Sequence, residues 1–146
     1  LTTLEIALRN SPLKNKFTLI NADFYEVYHR GDLVFFEFCL HEMKDTEAAI
    51  NHALTMAPRI LITDHWPDSE WAYIVDEKEK VNNSWNALKE FKFQKVQRYD
   101  TVQFFRDYEE LFLKVKVQGE NSIKRIGKYF DMKDFTIPMS YGFALI

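Results

Sequence analysis

Apolar and polar positions along this 146-residue chain change period several times, and each change marks a predicted element. Leu4, Ile6, Ala7 and Leu8 predict a short terminal helix, ended at Asn10-Ser11-Pro12 because a proline steers the residue before it away from helical backbone. Phe17-Thr18-Leu19-Ile20 reads as a buried strand running into Asn21-Ala22-Asp23. After a turn at Arg30-Gly31-Asp32, Leu33-Val34-Phe35-Phe36-Glu37-Phe38 is the most strand-like run, apolar enough for burial on both faces. The period then becomes helical. Asp45 or Thr46 caps a helix with Ala49, Ile50, Ala53, Leu54 and Ala57 on one side, and Pro58 ends it for want of an amide proton.

Ile60-Leu61-Ile62-Thr63 is a further short strand that delivers Asp64-His65-Trp66 at its end. Strand, helix and strand in this order form the unit of a parallel sheet. Asp68 or Ser69 caps a second helical region with Trp71, Ile74 and Val75 on its apolar side, and Trp85 and Leu88 belong to its continuation or to a separate short helix. Glu77 to Lys80 reads as a charged, exposed run. Asp107 and Glu110 have capping-box spacing ahead of Leu111, Phe112 and Val115, with Gly119 to stop that helix. Ile123 to Phe130 and Met139 to Ile146 read as a terminal antiparallel strand pair joined through Asp131-Met132-Lys133-Asp134. The sum is a single α/β domain in three layers.

Composition narrows the class. Hydrophobic residues at 47% and charged residues at 28% exclude collagen-like, disordered and membrane-spanning chains. The net charge of −3, with no long run of either sign, argues against a nucleic-acid partner: Lys114, Lys116, Lys124, Arg125 and Lys128 are scattered and broken by Glu120. One cysteine, Cys39, leaves no internal disulfide and no zinc knuckle, which fits a reducing, cytoplasmic setting. No membrane association is expected.

The run from Asp32 through Leu33-Val34-Phe35-Phe36-Glu37-Phe38-Cys39-Leu40-His41-Glu42-Met43 resembles the fourth strand and following loop of class I S-adenosylmethionine-dependent methyltransferases. The helix containing Ala53 to Ala57, the strand Ile60 to Asp64 and the helix ending at Gly119 resemble that family's next elements in order and spacing. Leu19-Ile20-Asn21-Ala22-Asp23-Phe24 is similar to its third strand with the terminal acidic residue. The resemblance implies a partial Rossmann-like methyltransferase fold, with a mostly parallel sheet and an antiparallel C-terminal strand pair. It implies S-adenosylmethionine as cofactor, with Asp23 and Phe24 on the adenine side, and a small-molecule acceptor.

Residue chemistry supplies candidates beside the resemblance. Asp23 can accept from an exocyclic amine, or simply form an Asx turn. Glu37 and Phe38 close the central strand, where open α/β sheets hold ligands, so both are cofactor contacts and Glu37 is also a catalytic candidate. His41 and His65 are candidate catalytic residues, as base or substrate contact, and His41, Asp64, Trp66 and Trp71 are candidate substrate contacts. Cys39 and Leu40 pack rather than react, and His52 on its helix is solvated. His41, His65, Asp64 and Glu37 match no firm metal-ligand spacing, so no metal is expected.

The family's Gly-rich first turn has no counterpart here, since Gly31, Gly119, Gly127 and Gly142 stand alone. The connection from Asp23 to Asp32 also lacks a crossover helix, although adjacent parallel strands need a connection of a dozen or more residues. A split sheet is therefore expected, with upstream cofactor-binding strands missing from the sequence. Methyl transfer to a small acceptor is the leading reading. The rival is a non-catalytic or partner-dependent binding module with a methyltransferase-like fold.

Overall fold

A computed structural model describes residues 14–146 together with Asn10 and Pro12, so the helix expected at Leu4 to Leu8 lies outside the described residues. The elements are β1 (Val34–Glu37), α1 (Thr46–Met56), β2 (Ile60–His65), α2 (Glu70–Ile74), α3 (Lys78–Leu88), β3 (Lys95–Asp107), α4 (Tyr108–Val115), α5 (Glu120–Ile126) and β4 (Lys133–Leu145), with single 3₁₀ turns between several of them. The strands form one four-stranded sheet in the order β1-β2-β4-β3. β1 and β2 are parallel across the α1 crossover, while β4 runs antiparallel to both β2 and β3. The α/β class and an antiparallel C-terminal strand pair are both present.

Local chemistry explains the helix boundaries. Asp45 caps α1 by accepting from the Ala48 amide at 2.9 Å, and Ser69 caps α2 through Ala72. The Asp107 carboxylate accepts from the Glu110 amide, and the Glu110 carboxylate reaches back to the Arg106 amide, which locks the first turn of α4. Buried residues gather in two clusters. One lies where α1 and α3 cover Phe36, Ile60, Ile62 and Ala144, and the other where α2, α4 and α5 cover Phe105, Phe135 and Ile137 on the far half of the antiparallel β3–β4 pair.

Several expectations are corrected. Phe17-Thr18-Leu19-Ile20 is not a strand: Phe17 is 58% exposed and none of the described strands pairs with the segment. The described sheet is consequently continuous rather than split. Ile123 to Phe130 is not a strand either, but α5 followed by a 3₁₀ turn, because Ile126 and Tyr129 are buried at helical rather than strand spacing. The partner of β4 is instead β3, whose residues 95–102 are all exposed and so carry no buried-face alternation in the sequence. β1 buries Phe36 on one face but leaves Phe35 47% exposed on the other. His52 is half-buried rather than solvated, with its Nε2 2.8 Å from the Val27 carbonyl and its ring edge-on to Phe24.

Gly142 in β4 is a tight spot. A Cβ there would stand 2.5 Å from Trp66 Cε3 and 2.8 Å from Trp85 Cη2. Trp85 cannot swing away freely, since its indole N–H donates to the His65 carbonyl at 2.6 Å. Gly142→Ala is therefore expected to lower the unfolding free energy by about 1–3 kcal/mol through overpacking. The check is the urea midpoint at unchanged slope; a wild-type midpoint would mean that both indoles yield at little cost.

At the start of α2, Lys128 and Tyr129 both donate to Glu70 Oε1, at 2.9 and 3.1 Å. The Lys128 hydrogen bond holds the Glu70 carboxyl below its ordinary value of 4.5. A lowered folded-state pKa adds stability that is present above the ordinary value and is lost as pH falls through the lowered one. Glu70→Gln is accordingly expected to flatten the loss of stability on acidification below about pH 4.5. Superimposable acid limbs for the two proteins would rule this linkage out.

Candidate active site

Parallel pairing brings the carboxyl ends of β1 and β2 side by side, the place where open α/β sheets form crevices. At the end of β1, Phe38 takes a positive φ of 48°, held by its amide donating to the Thr63 carbonyl of β2 at 2.7 Å. A bulky residue in this region is strained, and the strain turns the chain out of the sheet into a 3₁₀ turn at Leu40–Glu42. His41 sits in that turn, directly across from Asp64 and His65 at the end of β2.

Asp64 organises the pair of strand ends. Its Oδ1 lies 2.5 Å from His41 Nδ1 and accepts from the His65 amide at 2.8 Å, while Oδ2 accepts from the His41 amide at 3.1 Å. With Nδ1 committed to Asp64, the Nε2 of His41 faces Glu77 Oε2 and Glu42 Oε1, each at 3.5 Å. The His65 Nε2 stands 3.7 Å from the same Glu77 oxygen, and its buried Nδ1 has no partner among the described residues. Phe38, His41, Glu42, His65, Trp71 and Glu77, with Val75, Lys114 and Gln118, line a cavity of about 270 Å³.

The two imidazoles differ in charge for a physical reason. Burial alone would push the His41 pKa down, but the Asp64 and Glu77 carboxylates outweigh it and hold the ring at about 9, so it is an imidazolium at neutral pH. His65 lacks a carboxylate hydrogen bond, and burial pushes it below its ordinary value, so it is neutral. Burial also pushes the Cys39 thiol up, which keeps it unreactive as a nucleophile.

Of the residues singled out in the sequence, the structure brings together Phe38, His41, Asp64, His65 and Trp71. Asp64 is 1% exposed, hydrogen-bonds the His41 ring, and is not among the cavity's lining residues. Trp71 lines the cavity, stacked on Phe105, with the Lys114 ammonium 5.0 Å from its ring centre. Trp66 does not line the cavity; its ring packs 4.7 Å from that of Trp85. Glu37 is exposed at the end of β1 and is not among the cavity's lining residues. Asp23 is exposed and caps a 3₁₀ turn at Phe24–Glu26 by accepting from the Tyr25 amide at 2.9 Å, while the Phe24 ring packs edge-on against Phe36.

Glu77 is the member that the sequence hid. It stands in the charged run read as exposed, yet its side chain is only 14% exposed. It is aimed inward because Asp76 takes a positive φ of 63° between α2 and α3, where the Glu77 amide donates to the Ala72 carbonyl at 2.9 Å. An aspartate tolerates that backbone region better than most side chains do. Asp76 is further held by an ion pair with Arg125 at 2.7 Å. The one local signal was an Asp at the junction of two helical patterns.

No protein-family model matches the chain, and no curated protein matches its sequence. Among solved structures, a protein from Bacillus halodurans provisionally assigned as a methyltransferase superposes with a TM-score of 0.58 at 11% identity, over 85% of this chain and 68% of that one. The plantazolicin methyltransferase BpumL, solved with a triazolic desmethylplantazolicin analogue and SAH, aligns at 12% identity over 97% of this chain and 64% of its own, with a TM-score of 0.39. The first of these likenesses shows a shared fold.

Proposed function

We propose that this chain transfers a methyl group from S-adenosylmethionine to a small nucleophilic acceptor held in the cavity between His41, His65 and Trp71. The observation that carries the reading is the buried Asp64–His41 pair at the carboxyl ends of two parallel strands, in a fold shared with a protein assigned as a methyltransferase. Asp64 keeps the proton on Nδ1, so the neutral fraction of the ring, the minor one below about pH 9, offers Nε2 to the acceptor's proton. The Trp71 and Phe38 rings supply a flat apolar wall, and His65 gives a neutral hydrogen-bonding partner beside it.

The residues proposed for the cofactor fit its chemistry. S-adenosylmethionine is cationic at its sulfonium and ammonium groups, and exposed carboxylates and aromatic faces suit both. Glu37 is exposed and in no ion pair among the described residues, so its carboxylate is free for an ammonium. Asp23 uses Oδ1 on the Tyr25 amide, which leaves Oδ2 for an adenine amine, and Phe24 contributes backbone there because its ring is packed inward. Phe38, next to Glu37 at the end of β1, lines the cavity. When bound, the cofactor supplies an activated methyl group; this chain supplies orientation and a proton acceptor.

Calorimetric titration with S-adenosylhomocysteine, followed by incubation with methyl-labelled cofactor and a panel of phenols, amines and carboxylic acids, tests the reading. One S-adenosylhomocysteine per chain and label in one acceptor class are expected. An absence of binding would overturn it and return the chain to the binding-module account. The acceptor is expected to be a small molecule handled in the cytoplasm, not nucleic acid; among the described residues no helix is long and apolar enough to cross a membrane.

A further inference from the structure

The same side chains form a second kind of site that methyl transfer does not require. The ligating atoms of His41, Glu42 and Glu77 all lie within 4.8 Å of one another, and His41 Nε2 is 3.5 Å from each carboxylate. Those separations are long for charge-assisted hydrogen bonds, which close to about 2.7–2.9 Å. They are near the spacing of about 3.4 Å between two donor atoms bound about 2.1 Å from one tetrahedral ion. The groups are thus arranged around a common point more than they are bonded to one another.

Two independent features point to a cation at that point. First, Asp64 on Nδ1 is the outer-shell partner that metal-binding histidines characteristically carry, and it fixes Nε2 as the donor. Second, His65, only 7% exposed, lines the same cavity and turns Nε2 toward the cluster, 3.7 Å from Glu77 Oε2 without a hydrogen bond among the described residues. Charge agrees with this. Asp64, Glu42 and Glu77 face His41, and the nearby cations are Lys80, which clamps both Glu42 oxygens at 2.9 and 2.7 Å, and Lys114 on the cavity wall. The Lys80 clamp orients Glu42 while leaving lone pairs on Oε1.

We propose that His41 Nε2, Glu42 and Glu77 bind one divalent first-row transition ion, with its remaining coordination position open to the 270 Å³ cavity. One imidazole with carboxylates is an intermediate donor set, suited to zinc or manganese rather than to soft copper(I). The proposed reaction does not need the ion. Its consequence for that reaction rests on the reading above: an ion on Nε2 excludes proton transfer to Nε2, so the ion-loaded protein is the inactive form.

Equilibrium dialysis of the whole chain against zinc, with cobalt(II) absorption as a second readout, tests the site. One ion per chain is expected, with a four- or five-coordinate cobalt spectrum, and binding is lost in Glu42→Gln and in Glu77→Gln. Asp64→Asn, which changes only the outer shell, is expected to weaken binding about 10–100-fold. Glu90→Gln, altering an exposed carboxylate outside the cluster, retains it. Glu42 is exposed enough that its amide variant keeps the fold, so the test survives if Glu77→Gln unfolds. No bound ion, or an ion retained in both Glu42→Gln and Glu77→Gln, overturns the proposal. Cofactor binding measured in chelator reports separately on methyl transfer.

Discussion

Asp64→Ala is expected to destabilise the protein by about 3–5 kcal/mol, the cost of removing one partner from a buried ion pair. The carboxylate is 1% exposed and serves three donors at once: the His41 ring, the His41 amide and the His65 amide. Alanine leaves all three buried and unpaired, and each orphaned donor carries its own desolvation cost. The neighbouring atoms give no substitute. Glu77 faces the opposite nitrogen of His41, and the positions of both amides are set by β1 and β2. Urea unfolding with an unchanged slope reads the loss directly. Asp64→Asn keeps an acceptor oxygen and should lie between wild type and alanine. A loss below about 1 kcal/mol for Asp64→Ala, within the range of an exposed pair, would mean that water replaces the carboxylate and that the site is looser than its geometry.

Much of this arrangement was legible in the sequence, and the parts that were not share a cause. The β1–α1–β2 unit is readable because each element has its own period and stop signal, from the apolar run at Val34 to Phe36 through Asp45 and Pro58 to Ile60. Once that unit is parallel, His41, just past the end of β1, and Asp64, near the end of β2, come side by side. What escaped was set by long-range placement. β3 carries no alternation because residues 95–102 are exposed on both faces, and its register comes from β4. The α5 residues read as a strand because Ile123 and Ile126 are β-branched, whereas burial of Ser122 and Ile126 one helical turn apart decides the outcome.

The roles within the site divide the same way. Residue type identified His41 and His65 as reactive candidates, but their opposite pKa shifts depend on which one touches a carboxylate, and that is a tertiary fact. Glu77 in a run of charges has only the neighbouring Asp76 to mark it, and it is the Asp76 backbone that turns it inward. Trp66 and Trp71 were equivalent as aromatics beside a strand end. Gly142 decides between them, because the missing side chain in β4 makes room for Trp66 against Trp85 and leaves Trp71 to the cavity.

The largest expected effect on activity belongs to His41→Gln. If His41 accepts the acceptor's proton, its loss lowers kcat by about 10²–10⁴-fold, the usual range for a positioned acid–base group. Glutamine can still donate to Asp64, so the strand ends remain joined, and S-adenosylhomocysteine affinity should be unchanged because no cofactor-side residue is touched. The pH profile separates this role from a structural one. In protein kept in chelator, the neutral fraction of the wild-type ring rises about tenfold per pH unit below its pKa and levels off above about 9. Wild-type turnover should follow that limb, and the variant should be flat across it apart from the acceptor's own ionisation. A variant that keeps both wild-type kcat and the rising limb would remove His41 from the reaction and leave it the task of bridging β1 to β2 through Asp64.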